Sequence, residues 1–348
     1  VPDKAVVTVE VEEKSTGSVS LGAGYSSSLG PIGEISLTER NFLGRGQNVG
    51  VSFSLASARS EIDFTYTEPY FLNRDLSAGF DVFHVRQDLQ ELSSIDTNRT
   101  GLRLRTGYRV TDDLRQRWAY LINRASVTNV DDGAASLVKD QEGTEFTSQI
   151  THELAYDTLD SKLDPTEGYT ASILTDLAGL GGSVRHLRNT IRAGLHHSIT
   201  DDLIFSVGSK FGYIFGLGED VQFLERYFVG GSEVRGFESS GFGPRDSVSD
   251  DALGAEWMYS TKFQLTFPIG LPADFGVKGR IFSDMGSSGQ LSPSNSDVQD
   301  DASLRVSAGV GMTWRSPLGP VGMDAGFPIL KESYDNKEVL QISFGTRF

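Results

Sequence analysis

From Gly17 onward the chain alternates apolar and polar residues in segments of about ten residues, separated by short polar stretches. Between Leu304 and Arg315 every second residue from Leu304 to Trp314 is apolar, and the residues between them are polar, charged or glycine. A period of two predicts β-strands with one apolar face. Roughly sixteen such segments can be counted. The predicted strands cover residues 18–27, 32–40, 48–57, 60–68, 75–86, 97–110, 114–127, 144–157, 168–178, 184–198, 203–216, 254–267, 275–285, 303–315, 320–329 and 338–348.

The length of these strands separates two all-β architectures. A soluble sandwich would bury the apolar face against a second sheet, whereas a membrane barrel turns that face to lipid. A strand that crosses the hydrocarbon at a tilt needs about 9 to 11 residues, which the segments have. Only 38% of the residues are hydrophobic, yet the chain has 39 Gly and 21 Phe. This composition suits a closed sheet with a polar interior, so the sequence predicts a 16-stranded antiparallel transmembrane β-barrel.

The connections between predicted strands mostly alternate in length. The short ones include residues 111–113, 200–202 and 316–319, and the longer ones include 86–96, 128–143, 217–253 and 286–302. Such alternation is typical of an up-and-down barrel whose long loops face outward and whose short turns face the periplasm. An even strand count then places both chain ends in the periplasm.

One connection on the short side, Asp157 to Gly168, is longer and contains four acidic residues. It has two interpretations: a cation site built from oxygen ligands, or a turn with Asp caps and Pro-Gly punctuation. The spacing is not that of an EF-hand loop, which favours the turn.

The longest connection runs from about Gly216 to Gly254 and contains Val234-Arg235-Gly236-Phe237. Structureless loops of this length are uncommon and usually functional. A buried arginine requires a carboxylate, and Asp284 lies on the polar face of a later predicted strand. We therefore hypothesise that the loop folds into the barrel lumen and pins Arg235 to Asp284.

Charge and motifs exclude several function classes. The net charge of −16 argues against a nucleic-acid surface, and the absence of cysteine excludes disulfides and thiolate metal sites. Nucleophile-elbow, dinucleotide-binding and phosphate-loop motifs are absent, and His152-Glu153 has no histidine at position 156. Adjacent His196 and His197 would face opposite sides of a strand. The sequence therefore indicates no enzyme, no metal site and no cofactor.

The first residues differ from the rest. Ala5 to Glu12 alternates as a short strand, which we expect to be the last strand of a unit that begins earlier. Val1 is not followed by a signal peptide, so the chain is either a mature fragment or a soluble protein, and the barrel pattern favours the fragment.

Six motifs, in order, resemble the barrel domains of the BamA family of outer-membrane β-barrel assembly factors, within the wider superfamily of assembly and two-partner secretion barrels. They are Thr16-Gly17-Ser18 leading to Gly22 and Gly24, Glu39 to Gln47, Thr67 to Phe71, Val234 to Phe237, Phe282 to Gly286, and Ser316 to Pro320, and the chain ends in Phe348, a terminal aromatic typical of the family.

The resemblance implies two domains and a function. Residues 1–13 would be the C-terminal strand of a periplasmic POTRA domain, and 14–348 the barrel, with its sixth extracellular loop at about 217–253. The protein would insert nascent β-barrel clients into the outer membrane without nucleotide or cofactor. Its partners would be outer-membrane lipid, those clients, and accessory assembly lipoproteins that bind the periplasmic domains. One departure concerns Lys262, which stands where the family has a second acidic partner for the loop arginine.

The implied activity requires a weak join between the first and last strands, because a closed barrel has no free edge. Gly22 and Gly24 would weaken the first strand, although they could equally relieve crowding in the barrel wall. Ile342, Phe344 and Phe348 would form the opposing strand, whose alternation is also that of any outer-membrane barrel. Two alternatives remain: a sibling translocase for two-partner secretion or autotransporter assembly, and a passive diffusion porin.

Overall fold

The computed structural model of the protein describes residues 10, 12, 14–162, 164–316 and 319–345. Sixteen strands close into one antiparallel barrel, in which each strand pairs with the next barrel strand along the chain and the last pairs with the first. The barrel strands are β1 Gly17–Ser26, β2 Gly30–Phe42, β3 Gln47–Ala56, β4 Arg59–Glu68, β5 Ser77–Leu89, β6 Ile95–Arg109, β7 Leu114–Thr128, β8 Gly143–Asp157, β9 Gly168–Gly182, β10 His186–Thr200, β11 Leu203–Gly216, β14 Trp257–Pro268, β15 Val277–Gly289, β17 Arg305–Ser316, β18 Gly319–Leu330 and β20 Leu340–Phe344. The predicted fold class is confirmed, and the predicted strand bounds differ from these by a few residues.

The remaining elements are short and lie in the connections. Four strands of two residues are β12 Gly236–Phe237, β13 Arg245–Asp246, β16 Val298–Gln299 and β19 Lys337–Glu338. The α-helices are α1 Gln90–Ser93 and α2 Ser136–Lys139, and the 3-10 helices are Phe71–Asn73, Phe223–Glu225 and Ala273–Phe275. Among the described residues, none of the helices has the length and hydropathy that a membrane crossing requires.

The alternation seen in the sequence separates the two faces of the barrel wall. On β1, Val19 and Leu21 are more than 70% exposed on the outside, and on β17 Val310 points outward while Arg305 and Ser307 are buried inside. Because the outward side chains are apolar along strand after strand, the barrel has a continuous apolar skin and a polar interior.

The two ends of the barrel differ, and we name them by their connections. The loop end carries the long connections, including residues 129–142 and 217–256, and the turn end carries the short ones, including 43–46 and 201–202. Of the strand predicted at Ala5 to Glu12, the structure describes only Glu10 and Glu12, and the other residues lie outside the described ranges.

Buried apolar side chains form two clusters. One lies under the loops and includes Ile95, Val138, Phe223 and Leu253. The other consists of Val229, Val234, Phe237, Phe242 and Met258, and only Met258 belongs to a barrel strand. The second cluster therefore packs the longest loop against the inner wall.

Candidate functional site

The longest connection, residues 217–256 between β11 and β14, enters the barrel interior, and we call it the lumenal loop. It is tied to two other connections through short antiparallel pairs: β12 with β19 and β13 with β16. Val234 and Phe237, on either side of Arg235 and Gly236, are fully buried. The loop is thus a packed part of the barrel interior.

Arg235 meets Asp284 of β15 inside the barrel. Its Nε donates to Asp284 Oδ2 at 2.7 Å, its second terminal nitrogen donates to Oδ1 at 2.8 Å, and its backbone N–H donates to Oδ2 at 3.0 Å. The guanidinium lies 3.6 Å from the centre of the Phe282 ring, two residues along the same strand face. Asp284 has no exposed surface, so this charge-assisted pair is shielded from water.

Three more inward residues extend the pair into a network. Gln264 of β14 accepts a hydrogen bond from the Arg235 guanidinium at 3.0 Å, and Asp324 of β18 lies 3.8 Å from the same nitrogen. Arg280 of β15 holds Asp324 with two hydrogen bonds of 2.6 and 2.8 Å. Two arginines thus face two aspartates, and the network carries no net charge.

The backbone of the lumenal loop can approach the barrel wall closely next to Arg235 because the loop and the wall each have a glycine at the point of contact. Gly236 has a φ of +93°, and a Cβ there would lie 3.0 Å from the carbonyl carbon of Gly326 on β18. A Cβ at Gly326 would lie 2.8 Å from the Gly236 nitrogen. The close approach of loop and wall therefore depends on two residues without side chains.

A second ion pair holds the lumenal loop at Glu233, two positions before Arg235 in the sequence. Lys210 of β11 donates to Glu233 at 2.7 Å, and Ser260 donates to the other carboxylate oxygen at 3.3 Å. Burial raises the pKa of Glu233, but the hydrogen bond and charge of Lys210, the charge of Lys262 and the hydrogen bond from Ser260 together bring that pKa below its usual range. Lys262, the position that departs from the family, donates to the Ser232 carbonyl at 3.2 Å.

The join between β1 and β20, which we call the seam, is short within the described residues. β1 pairs with β2 at ten positions, from Gly17 to Ser26. It pairs with β20 at two, Tyr25 with Phe344 and Ser26 with Ser343. Hydrogen bonds between Ser27 and Ile342 continue the contact, with the Ser27 amide donating to the Ile342 carbonyl at 3.1 Å.

The other predicted seam residues lie around this contact. Gly22 and Gly24 are on the inward face of β1, paired with Glu34 and Ile32 of β2. A Cβ at Gly24 would lie 2.5 Å from the Phe344 carbonyl oxygen, so glycine allows β20 to approach at this point. Phe348 lies outside the described residues.

Sequence reasoning missed a second buried arginine pair. Arg305 of β17 donates to Asp335 through Nε and a terminal nitrogen, each at 3.0 Å, and neither side chain is exposed. Asp324, in the Arg235 network, was not predicted either. Arg305 and Asp324 both lie on the polar side of predicted strands, and this placement is the feature of the sequence that indicates an inward side chain. Asp335 lies in a connection, where strand periodicity gives no direction.

The acidic turn between β8 and β9 has its own internal bonds. Asp160 accepts hydrogen bonds from the Thr166 hydroxyl at 2.7 Å and from the backbone amides of Thr166 and Glu167 at 2.9 and 3.0 Å. These bonds hold the pKa of Asp160 well below its usual range. In the described part of the chain, no group of three or more His, Asp or Glu side chains is placed to hold a metal ion.

Comparison with known proteins gives a family for this architecture. Residues 41–348 match the Omp85 superfamily domain. Two curated relatives are outer membrane protein assembly factors named BamA: that of Neorickettsia risticii is 29% identical over 98% of this chain and 46% of its own length, and that of Nitratidesulfovibrio vulgaris is 28% identical over 97% and 42%. The chain thus spans about half the length of these curated relatives.

A solved structure has the same fold. The crystal structure of BamA from Haemophilus ducreyi lacking POTRA domains 1–3 superposes with a TM-score of 0.88 at 22% identity, covering 97% of this chain and 71% of that one. The sixteen-stranded barrel with its inserted loop is therefore a known architecture.

Proposed function

Because the chain belongs to the Omp85 superfamily, we propose that it folds and inserts β-barrel proteins into the bacterial outer membrane. The names of its curated relatives, which are outer membrane protein assembly factors, support this assignment. The substrates would be nascent β-barrel clients in the periplasm. The reaction would use neither nucleotide nor cofactor, since it exchanges strand pairing and lipid contact rather than covalent bonds.

The proposed orientation follows the length of the connections. The loop end would face outward and the turn end the periplasm, with both chain ends there. Residues 1–13 would join the barrel to a periplasmic POTRA domain, and residues 14–348 would be the membrane domain. Accessory assembly lipoproteins would bind the periplasmic part, and outer-membrane lipid would surround the barrel.

The observation that carries the proposal is the short pairing of β1 with β20. Every unpaired backbone group in hydrocarbon costs several kcal/mol, so a barrel opens most easily where the fewest groups are paired. Within residues 14–162, 164–316 and 319–345, the seam has two paired positions, whereas β1 and β2 have ten. Opening there would present a strand edge toward the bilayer, which a client strand could extend by β-augmentation.

The lumenal loop would keep the rest of the barrel in order while the seam moves. Its ion-pair and arginine anchors, Lys210, Gln264, Asp284 and Asp324, lie on β11, β14, β15 and β18, and Gln341 of β20 donates to the Phe237 carbonyl at 3.0 Å. None of these five residues lies on β1. Opening between β1 and β20 would therefore leave the arginine network intact, with the loop attached to the wall that ends in β20.

Cross-linking across the seam tests this mechanism. The natural sequence has no cysteine, so Ser26→Cys with Ser343→Cys introduces one pair at directly opposed positions. In vesicles that contain the protein, locking this pair with a short thiol cross-linker should stop the appearance of protease-protected client barrel, and reduction or omission of the linker should leave it normal.

The matched control joins β1 to β2, the strand with which β1 is paired along its whole length. Ser20→Cys with Ser36→Cys locks β1 to β2 at another directly opposed pair. This lock should not slow client insertion. If the seam lock also leaves insertion at the rate of the unlocked protein, the moving seam is wrong, even though the protein inserts clients.

A further inference from the structure

A groove of about 650 Å³ lies on the outer surface at the turn end of the barrel. It is bounded by the turn after β2, residues 43–46, and the turn after β4, residues 69–76. Its wall is formed by the outward side chains Tyr66, Phe80 and Leu104, and its rim by Tyr70, Phe71 and Arg45.

The groove is preformed, because bonds at the ends of β3 and β4, next to the two turns, fix its shape. Gln47 donates to Glu68 at 2.9 Å, and the Tyr70 amide donates to the other oxygen of the same carboxylate at 3.2 Å. The rings of Tyr66 and Phe80 stack with centroids 5.5 Å apart. A ligand would therefore meet a shaped site and order few side chains on binding.

The groove is lined by one acidic and one basic side chain, Glu68 and Arg45. The Glu68 carboxylate accepts hydrogen bonds from Gln47 and from the Tyr70 amide, which hold it in place without removing its charge. Within the described ranges the Arg45 guanidinium has no acidic partner, although it lines the groove. A cation free to bind an anion thus stands beside an apolar wall.

The tips of both turns are apolar and exposed. Leu43 is 74% exposed at a φ of 55°, and Leu72 is 71% exposed at a φ of 57°. Leucine rarely adopts this left-handed conformation, so these turns hold large apolar side chains outward at a conformational cost. Below them the outward residues Phe64, Val82 and Leu102 continue the apolar skin of the barrel. The groove is therefore continuous with the surface that faces lipid.

We propose that this groove binds an anionic phospholipid from the membrane leaflet at the turn end. The phosphate lies against Arg45, and an acyl chain lies along Tyr66, Phe80 and Leu104. Arginine binds phosphate oxygens through two parallel hydrogen bonds, and the aromatic wall shields the chain from water. The site requires that the barrel lies in a membrane, but it does not depend on the insertion of clients.

A polypeptide strand fits the groove less well, because no backbone edge is free there. β4 pairs with β3 and β5, and β5 pairs with β4 and β6, along most of their lengths. A peptide in the groove would find side chains but no ladder of main-chain groups, which is where strand addition obtains its affinity.

Native mass spectrometry of the detergent-solubilised protein tests the proposal with phosphatidylglycerol and phosphatidylcholine of the same acyl chains. The wild type should retain phosphatidylglycerol preferentially, and Arg45→Gln should reduce that preference about fivefold, as expected for one arginine near an anionic headgroup. Ala78→Trp, which fills the groove from its wall, should remove binding of either lipid. Inorganic phosphate should not displace the lipid, because it lacks the chain.

Two variants control for charge and bulk alone. Arg40→Gln removes a nearby exposed arginine of the same hairpin, and Ala171→Trp adds the same bulk to an exposed alanine near the turn end, on β9. Both should bind as the wild type does. The proposal is overturned if the wild type shows no lipid preference, if Arg40→Gln and Arg45→Gln act equally, or if Ala78→Trp carries as much lipid as the wild type. The last result is the one expected of a groove that holds a polypeptide.

Discussion

Asp284 binds Arg235 through the main chain as well as the side chain. One carboxylate oxygen accepts from both the backbone N–H, at 3.0 Å, and Nε, at 2.7 Å. A single acidic residue on the barrel wall therefore fixes both the path of the lumenal loop and the direction of its arginine. Because the carboxylate holds both the main chain and the side chain of Arg235, losing this pair should lower the stability of the barrel more than losing a surface salt bridge.

Removing the arginine should destabilise the barrel. Arg235→Ala leaves Asp284 charged and buried, and breaking a buried pair in this way costs about 3 to 5 kcal/mol. We expect a lower midpoint of urea unfolding in detergent, followed by the mobility shift of folded barrel in electrophoresis. Arg59→Ala is the control, because its pair with Glu61 is part-exposed and such pairs contribute about 0 to 1 kcal/mol.

Exchanging the two charges should restore part of this loss. Arg235→Asp with Asp284→Arg recreates a buried pair, but the backbone N–H of residue 235 loses its carboxylate acceptor. The double variant should therefore unfold at a urea concentration between those of Arg235→Ala and the wild type. Equal stability of Arg235→Ala and the wild type would show that the loop needs no anchor.

The glycine contact between loop and wall should be sensitive to a single methyl group. Gly326→Ala places a Cβ 2.8 Å from the Gly236 nitrogen, so loop or wall must shift, at a cost of about 1 to 3 kcal/mol. Gly208→Ala on β11 is the matched control, because nothing lies within 4 Å of its added Cβ. Urea unfolding should separate the two variants, and similar midpoints would contradict the proposed close packing.

The barrel could be predicted because the alternation of apolar and polar residues that it requires is visible within each strand. Most outward residues are apolar, so strands such as 203–216 appear in the sequence as alternation, and the predicted bounds of that strand are those of β11. Arg235 and Asp284 could be matched because each is a charged residue with a known side: one in the longest loop, the other on a polar strand face. The sequence therefore suggested their contact as a hypothesis, but only the positions of the two side chains in the structure show the hydrogen bonds between them.

Contacts between connections were not predictable from periodicity. The pairing of β12 with β19, and of Arg305 with Asp335, joins segments whose direction is set by neighbouring loops rather than by their own pattern. The number of paired positions at the seam could not be predicted for a related reason. The last segment alternates like its neighbours, whereas its pairing with β1 depends on where the barrel closes.

Acid should weaken the attachment of the lumenal loop through Glu233. Its pKa is below the usual value of about 4.3, so the folded state gains stability above that pH and loses it as the pH falls through the lower folded pKa. The difference in unfolding free energy between the wild type and Glu233→Gln should therefore be largest near neutral pH and vanish at lower pH. A difference that is constant from pH 7 to pH 3 would show that Lys210 does not hold this carboxylate in its charged form.

The lumenal loop should also limit ion flow, which distinguishes an assembly barrel from a diffusion porin. Val234 and Phe237 are fully buried against the inner wall, so the lumenal loop fills part of the barrel interior, beside a cavity of about 640 Å³ that borders the Arg235 network. In planar bilayers the wild type should conduct poorly, and Arg235→Ala should conduct more or open more often, because the loop loses its anchor. Arg59→Ala should conduct as the wild type does. A large, steady conductance of the wild type would support the porin and contradict an obstructed lumen.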